Sequence, residues 1–397
     1  MSPALSQLRN GAAIFLVFLR LGLTSFGGPA AHLGYFREAF VVRRQWLSER
    51  SYADLVALCQ FLPGPASSQV GMALGLSRGG YLGALAAWAG FTLPSALLLT
   101  LLALGIAHSQ GLPDSALHGL QVVALAVIAQ AVYAMARLHC RGPAALALML
   151  AACGLTLWLT WPGAQMAVLL VAGLLGLLLF RPATASAADP LPVPVGRRAG
   201  VAWLLLFVAL LLGLPLLHGA FPGTGLALLD AFYRSGALVF GGGHVVLPLL
   251  HSEVVVNGWV GEPVFFAGYA AAQAVPGPLF TFAAFLGASL NTGLAPWSGA
   301  ALALLAIFAT SFLLVAGALP FWSRLSALPA LRAALTAVNA AVVGLLLAAL
   351  IAPLAGGAIS GSRDLLLGLA ALLALTWLRL PPWLVVVAGA LAGLWGG

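Results

Sequence analysis

The chain has no lysine, only three cysteines and only nine acidic residues among its 397 positions. Charged residues make up 7% of the sequence, against roughly 25% in ordinary soluble domains. That scarcity excludes a large water-facing surface. No G-x-x-x-x-G-K-[ST] run occurs, which excludes a P-loop as a direct ATP engine. H-E-x-x-H and Cys/His clusters are also missing, and Cys59, Cys140 and Cys153 stand apart in apolar surroundings. These absences argue against a zinc site, a disulfide framework and a membrane enzyme, and they leave no cofactor motif. Glu38, Glu49, Asp54, Asp114, Asp189, Asp230, Glu253, Glu262 and Asp364 fall in loops or near the ends of apolar runs. A cation pathway through the membrane therefore lacks its usual ligands.

What the sequence has in abundance is apolar length. Hydrophobic residues make up 62% of it, with a mean hydropathy of +1.08. Thirteen apolar runs can be marked, at 11–35, 52–77, 80–107, 117–137, 143–160, 164–180, 200–217, 229–250, 264–289, 296–318, 331–353, 363–379 and 383–397. Runs of about 20 residues suit helices crossing a core of roughly 30 Å, and the short alternating strands of a barrel are absent. The expected class is an all-α polytopic membrane protein. Its first partner is the lipid bilayer, and the net charge of +8, carried by arginines, implies cytoplasmic loops rather than nucleic acid. The opening MSPALSQLRN enters the first run without an A-x-A-like cleavage site, so an uncleaved first segment is expected.

The sequence repeats itself. FLRLGLTSFGG at 18–28 aligns with FYRSGALVFGG at 232–242, pairing Arg20 with Arg234 and Gly27-Gly28 with Gly241-Gly242. After a one-residue slip, Trp46 falls on Trp259, and Gln60 with Pro63-Gly64-Pro65 falls on Gln273 with Pro276-Gly277-Pro278. The expected organisation is a first repeat over 1–180, a cytoplasmic linker over 181–199, a connecting helix over 200–218 and a second repeat over 219–397. Six segments per repeat and one between them turn the second copy over, the inverted arrangement of many secondary transporters.

Arginine placement bears on the topology. Apart from Arg20 and Arg234, 15 arginines lie in loops or at run ends. If every run crosses, they divide 10 to 5 between the two sides; if the first two runs of each repeat are re-entrant hairpins, they divide 14 to 1. The positive-inside rule favours the hairpins, with the N-terminus cytoplasmic and the C-terminus periplasmic.

The breaks in these runs carry the chemistry. Pro63 and Pro65 lack amide hydrogens and Gly64 tolerates unusual backbone angles, so a helix reaching Phe61 must stop and another can begin. Ser67, Ser68 and Gln69 are expected to help satisfy the new helix's free amides. A helix N-terminus at membrane depth offers N–H groups and partial positive charge, which suit an anion. Gly27-Gly28 and Gly241-Gly242-Gly243 can add backbone donors, and the Arg20 and Arg234 forks match an oxyanion. The bland alternatives are that Pro and Gly merely kink long helices, that Arg20 snorkels to the surface, and that Arg234 pairs with Asp230 one turn away. His244 can donate to an anion, carry a proton, or simply cap or pack a helix. His32 is open to the same readings.

At these residues the sequence resembles the chromate ion transporter family. The resemblance rests on FLRLGLTSFGGPAAHL, on WLSERSYADLVALCQFLPGPASSQVGMALG with GGYLGALAAWAGFTLP after it, and on FGGGHVVLPLL, GWV and QAVPGPLF. It covers nearly the whole chain and implies the long form with two fused domains, whose FGGP and FGGG differ as they do here. It further implies chromate efflux across a bacterial inner membrane, with sulfate, a similar tetrahedral dianion, as a competitor. Secondary transport by alternating access, a passive anion channel and transport of sulfate or another oxyanion all remain open, and a homo-oligomer is compatible with the sequence.

Overall fold

A computed structural model describes residues 3–108, 113–159, 161, 163–180, 194–325 and 328–394. The fold is all-α, with no strand among the described residues. Helix α1 (Pro3–Thr24) stops at Ser25-Phe26-Gly27, where Gly27 turns to a φ of 98°, and α2 (Gly28–Phe36) starts with a proline in its first turn. A wide helical turn over Arg37–Arg43 follows. The Ser48 hydroxyl then caps α3 (Glu49–Phe61) by accepting from the Ser51 amide. At 13 residues α3 spans about 20 Å, roughly two thirds of a hydrocarbon core. After Pro63-Gly64-Pro65 comes α4 (Ala66–His108), which bends at Gly79 and Gly80. Helices α5 (Asp114–His139), α6 (Pro143–Trp158) and α7 (Ala164–Leu179) complete the first half.

Helix α8 (Arg197–Ala220) joins the halves. Residues 181–193 of the expected linker lie outside the described residues. The second half repeats the opening: α9 (Thr224–Ala237), a break, a 3-10 turn (Gly243–Val245), α10 (Val246–Leu250), a wide turn (His251–Val255) and the 13-residue α11 (Glu262–Ala274). Past Pro276-Gly277-Pro278, a 3-10 turn (Leu279–Thr281) and α12 (Phe282–Ala288) lead to α13 (Pro296–Ala318). The pair α12 and α13 corresponds to the two limbs of bent α4. The short α14 (Trp322–Leu325), α15 (Pro329–Ala355), α16 (Ser362–Thr376) and α17 (Pro382–Leu394) close the chain.

Among the described residues five helices are long and apolar enough to cross a membrane: Ala66–Ala107, Ser115–His139, Arg197–Ala220, Pro296–Phe321 and Pro329–Ala355. Their burial differs enough to place them. The apolar window of α13 is 78% buried and that of α8 only 6%, so α13 is central and α8 presents its surface to lipid.

The halves interlock. Helix α1 packs on α4 and α9 on α13, but α15 packs on α6 and α7, while α5 packs on α16 and α17. The long helix before each half's last hairpin, α5 or α15, is thus clasped by the last hairpin of the other half. Glycines permit the approach: a Cβ at Gly344 would strike the Met149 carbonyl, and one at Gly119 the Gly389 carbonyl. Small residues commonly serve this purpose where helices meet inside membranes.

The sequence places Asp230 near the start of a run at 229, but α9 begins at Thr224. Pro222-Gly223 interrupts the helical chain just before it, and Asp230 consequently sits inside the helix, buried.

Candidate functional site

The four breaks converge, and they do so across the halves. The Gly64 amide donates to the Val239 carbonyl at 2.7 Å, and the Gly277 amide donates to the Ser25 carbonyl at 3.0 Å. Val239 and Ser25 are equivalent residues, each immediately before the Phe-Gly-Gly of its half. Each Pro-Gly-Pro turn therefore hangs on the Phe-Gly-Gly turn of the opposite half. The Phe-Gly-Gly turns also meet each other, since a Cβ at Gly243 would lie 3.2 Å from the Pro29 ring.

Glycine is required at both crossings. Gly64 has a φ of 122° and Gly277 a φ of 107°, values that side chains rarely tolerate. A Cβ on Gly64 would come within 2.7 Å of Gln69 Nε2 and 2.8 Å of Ser311 Oγ. One on Gly277 would come within 2.7 Å of Ser95 Oγ. Ser311 belongs to the second half and Ser95 to the first, so the cross-half pattern holds for side chains as well.

Unsatisfied polar atoms collect here. Ser25 Oγ, Ser68 Oγ, Gln69 Oε1, Thr92 Oγ1 and Ser311 Oγ are buried without a hydrogen-bond partner among the described residues, and all five residues are at most 2% exposed. Buried polar groups are ordinarily paired, because an unpaired one costs about 1–3 kcal/mol. These five residues lie in or beside the turns that cross between the halves. The first turn of α4 adds the amides of Ala66, Ser67 and Ser68, which helix geometry leaves without intrahelical acceptors.

The predicted residues divide. Gly27, Gly28, Pro63, Gly64, Pro65, Ser67, Ser68, Gly241, Gly242, Gly243, Pro276, Gly277 and Pro278 belong to the converging turns and the residues next to them. Their hydrogen bonding differs from the expected capping. Gln69 Nε2 reaches back to the Pro63 carbonyl at 2.7 Å, satisfying an acceptor rather than an amide. Ser67 Oγ lies 3.4 Å from His32 Nδ1, and His32 Nε2 lies 3.2 Å from the Ser25 carbonyl. His32 is thereby a buried brace between the first half's two breaks. His244 Nδ1 faces Tyr269 Oη at 3.0 Å and Gln273 Nε2 at 3.2 Å, which fixes it against α11. Gln60, the repeat partner of Gln273, is exposed on α3. Beyond Pro276-Gly277-Pro278 the chain makes a 3-10 turn before α12, so only α4 begins a long helix at its break.

The arginines also part company. Arg20 is exposed on α1, with no ion pair among the described residues. Arg234 Nη2 donates to Asp230 Oδ2 at 2.7 Å and to Glu253 Oε2 at 3.3 Å. The i,i+4 partner visible in the sequence is therefore present, together with a second carboxylate.

Sequence reasoning passed over Ser25, Thr92, Ser95, Tyr269 and Ser311. Signals for some of them were available. Ser95 follows Pro94 inside an apolar run, Thr310-Ser311 is a polar pair deep in another, and Tyr269 stands one helical turn before Gln273.

Comparison with known proteins agrees with these motifs. The family model described as chromate transporter matches residues 12–177 and again 226–394. A "Probable chromate transport protein" of Synechococcus elongatus is 28% identical over 400 residues, covering 95% of this chain and 93% of that one. The "Chromate transport protein" of Cupriavidus metallidurans is 29% identical, covering 96% and 92%. That of Pseudomonas aeruginosa is 31% identical, covering 84% and 78%. No solved structure matches the chain. Matched in both halves, including the turns that meet at the crossing, the chain belongs to the chromate transporter family.

Proposed function

We propose that this membrane-embedded protein is a secondary transporter that carries chromate out of the cytoplasm across a bacterial inner membrane, alternately exposing a site at the crossing of its two halves. The observation that carries the proposal is the reciprocal pair of bonds from Gly64 to Val239 and from Gly277 to Ser25, ringed by buried polar atoms that lack partners. A dianion brought to membrane depth loses hydration that only preorganised donors and positive charge can replace. Serine and threonine hydroxyls and the α4 amides supply donors, and the α4 N-terminus supplies partial positive charge. Arg20 and Arg234 are proposed as the formal charges that draw the anion toward the crossing.

The family relationship and the curated relatives' names support chromate as the cargo. Sulfate shares its shape and charge and is the expected competitor. The reciprocal pair of bonds supports alternating access, in which one half rocks against the other and the two turns exchange roles. In this reading the repeats are inverted, the 13-residue arms α3 and α11 re-enter from opposite faces, and the N-terminus is cytoplasmic with the C-terminus periplasmic.

The test is chromate uptake into inside-out vesicles under an imposed proton gradient with the membrane potential clamped, with sulfate and molybdate as competitors and with chromate more concentrated inside than outside. Uphill uptake is the expected outcome. Flux that only ever runs downhill would make the protein an anion channel instead.

A further inference from the structure

The second half contains a feature that its repeat partner lacks. Asp230 and Glu253 share one guanidinium hydrogen-bonding nitrogen, Arg234 Nη2. With the halves aligned on Phe26 and Phe240, these two acids fall on Leu16 and Ala39, so the arrangement is not a product of the repeat. It borders a cavity of about 420 Å³ between α6, α7, α9, α15 and the turn at His251–Val255. Arg234 and Glu253 line that cavity together with Ser235, Gln165 and Trp161. Asp230, whose side chain is 8% exposed, is tucked behind them.

The hydrogen bonding around this group is incomplete in a specific way. Arg234 Nε, Ser235 Oγ and Gln165 Oε1 are buried without partners. An oxyanion approached side-on takes two parallel bonds, from Nε and from the adjacent terminal nitrogen. Here Nε is unclaimed while Nη2 is committed to both carboxylates. Two ionised acids and one guanidinium also sum to a net charge of minus one, which repels an anion.

We propose that Asp230, Arg234 and Glu253 form a proton-gated oxyanion subsite in which protonation of Glu253 frees Arg234 Nη2 to join Nε in binding an oxygen of the anion. Glu253 is the group that changes. Its contact with Arg234 is the longer of the two, and it faces the cavity, whereas Asp230 holds the shorter contact behind it. A proton on Glu253 brings the group to neutrality and releases one N–H of Arg234 Nη2, while the other keeps the guanidinium anchored on Asp230. The other titratable groups on the surrounding elements are His218 on α8 and His251, whose Nε2 lies 3.8 Å from Glu262 Oε1. The cavity-lining residues of α6, α7 and α15 bring no charge. The inference rests on the oxyanion reading given above and assigns that reading a proton-binding residue.

Linkage supplies the test: if a proton favours the anion, the anion must favour the proton by the same factor. Full-length protein in detergent, titrated with chromate near pH 8 in weak buffer, should take up close to one proton per anion bound, and Glu253→Gln should take up none. Chromate affinity of the wild type should rise by about tenfold between roughly pH 9 and pH 7.5, where chromate stays a dianion, whereas Glu253→Gln should bind tightly and equally at both, as expected if the amide mimics the protonated acid. Chromate binding that takes up no proton, or a Glu253→Gln protein that keeps the wild-type pH dependence, would overturn the gate and leave the oxyanion reading standing. Absence of chromate binding at every pH would overturn both. The wild-type proton count does not depend on any variant folding.

Discussion

The two halves share a backbone and differ in their side chains. In each, a helix stops at Phe-Gly-Gly, a 13-residue arm stops at Pro-Gly-Pro, and the glycine of that turn donates to the opposite half. Around this common frame the chemistry diverges. Arg20 is exposed on α1 and Arg234 is held by two acids beside a cavity. His32 braces the two breaks of the first half, while the second half's His244 bonds to Tyr269 and Gln273. Repeat-equivalent Gln60 and Gln273 end up exposed and engaged, respectively. The halves share a frame, and the side chains set on it differ. The glycine geometry is the part that neither half can alter alone, because each turn is shaped by the other.

The largest effect should therefore come from those glycines. Gly64→Leu and Gly277→Leu each put a side chain where Gln69 and Ser311, or Ser95, already stand. Each also forces an unfavourable φ, costing about 1–3 kcal/mol before any clash is counted. Chromate uptake in vesicles should fall below detection in both variants, and the two should fail alike. Loss in one variant with near-normal uptake in the other would show that the crossing is not functionally reciprocal.

Next come the arginines, where the halves should differ. Arg234→Ala leaves Asp230 and Glu253 facing each other without a counter-charge, which should cost about 3 kcal/mol and lower the melting temperature as well as transport. Arg20→Ala removes no observed partner, so transport should fall by tenfold or more, about 1.4 kcal/mol in binding terms, while the melting temperature stays put. Asp230→Asn keeps a hydrogen-bond acceptor on Arg234 and should retain transport. Lysine at either arginine position should recover only part of the activity, since it restores charge without the fork. Full uptake by Arg20→Ala would confine the charged part of the site to the second half.

These contrasts also mark what was readable beforehand. Pro-Gly-Pro and Phe-Gly-Gly declare themselves locally, because each residue's backbone restriction acts wherever it stands. The i,i+4 spacing of Asp230 and Arg234 was equally plain. Glu253 was not, because it reaches Arg234 only after the chain has turned at Phe240–Gly243 and widened at His251–Val255. The exchange of hairpins, α15 with α6 and α7 and α5 with α16 and α17, left no mark either. Apolar helix faces rich in Leu and Ala are interchangeable as sequence, and only complementary shape selects the partner.

The smallest effect expected is the most diagnostic of a ligand. Ser25 and Ser311 carry buried hydroxyl oxygens with no partner, one in each half. In a purely structural role such a hydroxyl is a liability, and replacing it by alanine should stabilise the fold by up to about 1 kcal/mol. At a binding site the same change removes a donor that the anion uses, so transport should fall about threefold to tenfold, the worth of one net hydrogen bond. Stability and transport should thus move in opposite directions in Ser25→Ala and Ser311→Ala, read by thermal melts and by vesicle uptake on the same preparations. The double variant should lose the product of the two factors if the hydroxyls contact different oxygens of one anion, and less if they take turns as the two halves alternate. Unchanged uptake in both single variants, with or without a gain in stability, would remove the hydroxyls from the site and leave the α4 amides and the arginines as its donors.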